Sequence, residues 1–175
     1  MSLQITVIGL DQVGSSIGLA LAEFKDKILR VGHDPDTKRM KLAEKEGAFD
    51  KTFINLNDAV RGADIVILAL PADMIKDTLS IISGILKADA VLINTSPIRS
   101  GINDWFKQYI PKECAFISVQ PLIHADRLTD LNDELHIPRA DLFINTEIMI
   151  TSDFDTSPKA VQVATDLVTL LKAQP

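Results

Sequence analysis

A chain of 175 residues, 46% of them hydrophobic, can bury a sizeable core, which excludes a disordered polymer and leads us to expect one domain over residues 1–175. Its 24 acidic against 18 basic residues give a net charge of −6 with no Lys/Arg block, so nucleic acid is not an expected partner. The start lacks a signal-peptide pattern, the longest apolar run (65–71) is far short of the roughly 20 residues that span a bilayer, and the lone Cys114 offers neither disulfide nor zinc site; no membrane or metal is expected, and the cytoplasm is the expected compartment.

Residues 3–8 read as a β-branched strand, followed by glycines and an apolar stripe at Val13, Ile17, Leu21 and Phe24, which together spell strand, tight turn, helix. A second strand over 28–33 runs into Asp34-Pro35, and a helix over about 35–46 is bracketed by Pro35 at its first position and Gly47 past its end. Asn55 caps a short helix over 56–61. The run 64–70 is apolar on both faces, as a central parallel strand must be when helices cover the sheet on both sides. Pro71 opens the next helix, with Ile75, Leu79 and Ile82 as its stripe. Strands over 90–94 and 115–119 flank a helix over 102–109. Residues 122–139 carry no sustained period and read as loop. A strand over 146–150 and a final helix from Ser157-Pro158, with Val161, Ala164, Leu167, Val168 and Leu171 on its buried face, complete the chain. This alternation predicts an α/β fold with a doubly wound, mainly parallel sheet of the Rossmann type.

The first turn is Gly9-Leu10-Asp11-Gln12-Val13-Gly14, a GxGxxG fingerprint with Asp11 in place of the second glycine. Glycines in such a turn permit the tight bend and close helix packing, while free N–H groups and the helix dipole receive a pyrophosphate. Its placement between strand and helix, with the acid Asp34 about twenty residues beyond Gly14 at the end of the second strand, is the context a dinucleotide site requires. Asp34 can accept the ribose hydroxyls of NAD and repel the 2′-phosphate of NADP, or it can cap the helix after Pro35. Lys38 and Arg39 nearby leave NADP open. Asp11 brings like charge to the pyrophosphate: about 3 kcal/mol of repulsion at ~6 Å and an effective dielectric of about 20, and much less if the side chain points to solvent. The sequence leaves both orientations open. Leu70, Pro71, Thr95 and Ser96 fall at later strand ends, where open parallel sheets bind ligands, and join the turn and Asp34 as candidate cofactor residues.

These residues, with the Gly14-Ser15-Ser16-Ile17-Gly18 continuation, the strand Val66 to Pro71 and Arg139-Ala140-Asp141-Leu142-Phe143, resemble in order the nucleotide-binding domain of prephenate and arogenate dehydrogenases. The resemblance implies oxidation of prephenate or arogenate in tyrosine biosynthesis, with hydride passed to NAD(P) as carbon dioxide leaves. It also implies a homodimer built by a following helical domain that helps to hold the small-molecule substrate. This chain ends at Pro175, so it is expected either to be the first domain of a longer protein or a one-domain relative.

The resemblance breaks at the chemistry. Ser118-Val119-Gln120-Pro121 matches the family's Gly-Gly-His-Pro segment, so an amide replaces the catalytic imidazole; an amide hydrogen-bonds a hydroxyl but takes no proton at neutral pH. Pro97 stands where the family has an assisting serine, and Ser96 beside it is the candidate to take that hydrogen bond or else a turn residue. His124 is the candidate replacement base, ahead of His33 and His136. The leading expectation is an NAD(P)-binding domain of a prephenate-dehydrogenase-like oxidoreductase, impaired in isolation. Its rivals are a non-catalytic nucleotide-sensing or interaction module and another NAD(P)-dependent dehydrogenase or imine reductase.

Overall fold

Seven strands form one sheet in the order β3-β2-β1-β4-β5-β6-β7 in the computed structural model, which describes residues 2–98, 101–128, 137–152 and 156–175. The strands are β1 (Leu3–Ile8), β2 (Ile28–His33), β3 (Lys51–Thr52), β4 (Ile65–Leu68), β5 (Val91–Asn94), β6 (Ala115–Pro121) and β7 (Ile148–Thr151). All neighbouring pairs are parallel except β6 with β7. The helices are α1 (Gln12–Ala20), α2 (Thr37–Lys45), α3 (Leu56–Val60), α4 (Ala72–Ile82), α5 (Ile102–Tyr109) and α6 (Pro158–Leu170). No helix among the described residues is long and apolar enough to cross a membrane.

The unbroken apolar run of β4 is explained by the two cores it separates. Ile65 and Ile67 join Ile5, Val7, Ile93 and Ile117 against α1 and α6, while Val66 and Leu68 join Ile8 and Leu92 against α4 and α5. Period-2 alternation of a strand buried on both faces therefore requires apolar residues at every position. This is the expected doubly wound α/β sheet. The strand order reverses direction between β1 and β4, each of which leads into a helix on the opposite face, and a crevice opens beyond their C-terminal ends.

Four details differ from the sequence expectation. The edge strand β3 has only two residues, and its pairing of Val31 with Lys51 and Gly32 with Thr52 leaves no hydrophobic period to read. Helix α2 begins after Asp36, whose carboxylate accepts from Lys38 N, so Pro35 precedes the cap instead of opening the helix. The stripe of the first helix continues past α1 into a 3-10 turn at Leu21–Phe24. On α6 the buried face is Ala160, Ala164, Leu167, Val168 and Leu171; Val161, expected inside, is 38% exposed because Ala160 holds the contact with the sheet in its place.

Candidate functional site

The turn from β1 to α1 is held by its backbone and by Asp34. Gly9 adopts φ +94°, and its N–H donates to His33 O at 2.9 Å. A Cβ on Gly9 would lie 2.2 Å from Ala69 O, and one on Gly14 only 1.9 Å from Gly9 O. Gly14→Ala is therefore expected to cost about 3 kcal/mol, the upper part of the overpacking range, and to lower the thermal midpoint by roughly 10 °C. A melt monitored by circular dichroism checks this, and a midpoint within 2 °C of the parent would contradict it.

Asp34 is 2% exposed, and both of its oxygens are engaged: Oδ2 accepts from Leu10 N and Oδ1 from Asp36 N, each at 2.8 Å. The Arg39 guanidinium stands 3.7 Å from Oδ2. Asp34 thus ties β2 to the glycine turn and to the cap of α2, while each oxygen retains a lone pair for a further donor. Asp11, whose orientation the sequence left open, turns inward as the cap of α1, its Oδ1 accepting from Gly14 N at 3.0 Å. Burial pushes its carboxyl above the usual value, opposed in part by the Gly14 N–H and the Arg39 charge.

The crevice beyond β1 and β4 is a cleft of about 720 Å³, lined among others by Asp11, Val13, Leu70, Pro71, Ser96 and Gln120. Thr95 also lines it, donating from Oγ1 to Leu68 O at 3.2 Å. The fold therefore gathers into one cleft residues that are more than one hundred positions apart in the chain. Ser96 is buried, and its Oγ accepts from Ile98 N at 3.3 Å, a turn-forming contact before Pro97 and the next residue.

Not every candidate enters the cleft. Asp34 lies beneath the turn and outside the cleft lining. His124 is exposed, precedes the 3-10 turn Ala125–Arg127 and is not a lining residue. His33 is buried, with Nδ1 paired to Phe53 O at 2.9 Å, a structural role. His136 lies outside the described residues. Sequence reasoning missed the apolar wall of Ala69, Ile98, Ile123 and Leu128. It also missed the docking of residues 137–139 on α1, where Gln12 Nε2 donates to Ile137 O at 3.1 Å and Arg139 N donates to Ser16 Oγ at 2.8 Å. The Arg139 to Phe143 segment was the one available signal, and it carried no indication of where it would pack.

The family model described as "Prephenate dehydrogenase, nucleotide-binding domain" matches residues 17–174. The chain is 23% identical over 183 residues to glycerol-3-phosphate dehydrogenase [NAD(P)+] of Chlorobium phaeobacteroides, covering 95% of this chain and 54% of that protein. It is 22% identical over 162 residues to cyclohexadienyl dehydrogenase of Zymomonas mobilis, covering 93% and 53% respectively. Among solved structures it is similar in fold to prephenate dehydrogenase from A. aeolicus in complex with hydroxyphenyl propionate and NAD+, with TM-score 0.82 at 15% identity, over 99% of this chain and 58% of that one. The chain spans about half the length of the curated relatives it matches. With nearly its whole length matched by the family model, and with the glycine turn, the acid after β2 and the cleft at the strand reversal in place, the chain belongs to the family of prephenate dehydrogenase nucleotide-binding domains.

Proposed function

We propose that the chain binds a nicotinamide dinucleotide, NAD in preference to NADP, as the cofactor half of a prephenate- or arogenate-oxidising dehydrogenase. The observation that carries this reading is the cleft at the reversal of strand order, bordered by Asp11 and Val13 of the glycine turn, in a member of this family. Cofactor and small-molecule substrate are its partners, a homodimer through a helical domain its assembly, and the cytoplasm its compartment. The residues in and beside the cleft fit a dinucleotide. The N-terminal end of α1 meets the cleft at Asp11 and Val13, and Asp34, beside the turn, retains acceptor capacity for a ribose. Thr95, Ser96 and Gln120 offer neutral hydrogen-bonding groups farther along the cleft.

When bound, the cofactor would supply the hydride acceptor. The chain's own residues bind and orient: Leu70 and Pro71 give an apolar wall that limits water, and the Gln120 amide can hold a substrate hydroxyl without removing its proton. A second reading, a nucleotide-sensing module without catalysis, is favoured by the replacements Asp11, Pro97 and Gln120 taken together.

Titration with NADH, followed by its fluorescence, tests the first reading: saturable binding is expected, and none at any concentration would refute it. NAD+ is expected to bind at least about tenfold more tightly than NADP+, because the Asp34 charge opposes the added phosphate. Arg39, 46% exposed and paired with Asp34, blunts that preference, so Arg39→Ala should widen it and Asp34→Ser narrow it. Equal dissociation constants for the two cofactors in the parent protein would contradict the assignment.

A further inference from the structure

Three glycines of the first turn and helix serve the fold itself. Gly9 needs its positive φ and lies against Ala69 O, Gly14 lies against Gly9 O, and a Cβ on Gly18 would come within 2.5 Å of Ala48 O. All three contacts are with the chain's own backbone. A dinucleotide turn also has a middle glycine, whose use is different: it lets the ligand's phosphates approach the backbone. That position is Asp11, with φ −71° and ψ −169°, extended backbone that needs no glycine. The chain has kept the glycines that the fold requires and replaced the one that a phosphate requires.

The replacement is not passive. The Asp11 carboxylate accepts from Gly14 N, one of the N-terminal donors of α1, and the same residue lines the cleft. A charge of the ligand's sign already holds that part of the anion site. We propose that Asp11 is a resident anion at the phosphate end of the cleft, a specificity-determining residue that weakens binding of pyrophosphate-containing ligands and makes that binding proton-linked. The inference rests on the dinucleotide reading of the cleft given above.

The groups facing Asp11 set the direction of the linkage. Arg39 on α2 favours its charged form; Asp34 at the end of β2 opposes it. Asp73, in the first turn of α4, lines the same cleft with a further acid. Burial raises the Asp11 carboxyl more strongly than any single partner lowers it. A phosphate entering the cleft adds repulsion in the same sense. The neutral form of Asp11 therefore binds the ligand better, and affinity rises as pH falls. A carboxylate and one phosphate charge about 6 Å apart, at an effective dielectric of about 20, correspond to roughly a hundredfold loss of affinity.

The test is calorimetric titration of the 175-residue chain, Asp11→Asn and Asp11→Gly with NAD+ between pH 5.5 and 8, with adenosine as an uncharged probe. Asn caps a helix as well as Asp does, so Asp11→Asn removes the charge and keeps the turn, and circular dichroism verifies the fold of both variants. At pH 8 both variants are expected to bind NAD+ about a hundredfold more tightly than the parent, with adenosine affinity unchanged within about twofold. The parent's NAD+ affinity should rise toward pH 5.5, and that of Asp11→Asn should stay flat. Equal or weaker NAD+ binding by a folded Asp11→Asn at pH 8, an equal gain for adenosine, or the same pH slope in parent and variant would overturn the inference while leaving the cleft a dinucleotide site. Absence of NAD+ binding by all three proteins at every pH would instead overturn the reading of the cleft itself.

Discussion

Supplied with NAD+ and either prephenate or arogenate, the 175-residue chain is expected to form no NADH above background. Gln120, at the C-terminal end of β6, lines the cleft where the family resemblance implies a histidine. Loss of acid–base assistance costs about 100- to 10,000-fold. The nearest candidate replacement, His124, is exposed and outside the cleft lining, and Ser96, whose Oγ accepts from Ile98 N, can hydrogen-bond a substrate but takes no proton at neutral pH. The chain also spans only about half the length of its curated relatives, and the family resemblance implies that a following helical domain helps to hold the substrate. Orientation supplies about 7–11 kcal/mol in well-positioned reactions. The two deficits need not add, but either leaves turnover marginal. Absorbance at saturating cofactor, with Gln120→His in parallel, is the decisive assay. The variant alone should also remain inactive, because it restores the base and not the orientation. Robust turnover by the parent would show that another residue handles the proton.

Removing the carboxylate of Asp50 is expected to cost about 3 kcal/mol of folding stability. Arg30 on β2 is 6% exposed, and its Nη1 donates to the carbonyl oxygens of Gly18, Gly47 and Ala48 at 3.0–3.1 Å. Its Nη2 and Nε donate to Asp50 at 2.7 and 3.2 Å, and Asp50 Oδ2 also accepts from Arg30 N at 2.8 Å. One guanidinium therefore ties α1, the turn after α2 and the start of β3 to the sheet. Asp50→Ala strands that buried cation, which in general costs about 3–5 kcal/mol. The 29% exposure of the Asp50 side chain admits water and places the expectation at the lower end. For a chain of this length the melting midpoint should fall by roughly 6–12 °C, and a fall under 2 °C would contradict the clamp.

The same pair gives the fold part of its acid sensitivity. Burial alone would raise the Asp50 carboxyl, but the Arg30 hydrogen bonds and charge outweigh it and hold the carboxyl below its usual value. A carboxyl lowered in the folded state stabilises fully above its unfolded value, about 3.9, and that contribution is lost as pH falls through the folded value. Asp50→Asn should therefore be less stable than the parent at pH 7, and the gap should close as pH falls below about 4.

Much of the architecture follows from local chemistry in the sequence. The apolar run of β4, the stripes of α1 and α4 and the position of Gly9 and Gly14 each depend on a period or a turn conformation that a few neighbouring residues determine. Those features were enough to predict a doubly wound sheet and the tight glycine turn between β1 and α1, and family resemblance extended the reading to NAD. What depends on partners distant in the chain was not legible. The two-residue strand β3 exists because β2 pairs with it, and the antiparallel β7 is oriented by the return of the chain along β6. Val161 and Ala160 are adjacent and both apolar, and only the seat of α6 on the sheet decides which is buried. The inward turn of Asp11, by contrast, is local: its partner Gly14 N lies three residues on, at the start of α1. Of the partners of Asp34, Asp36 N is local, two residues on, whereas Leu10 N is brought to it only by the meeting of the glycine turn with the end of β2. Side-chain identity limits which hydrogen bonds are available, but tertiary packing selects among them, because a buried donor or acceptor must be paired with whatever the fold brings within about 3 Å.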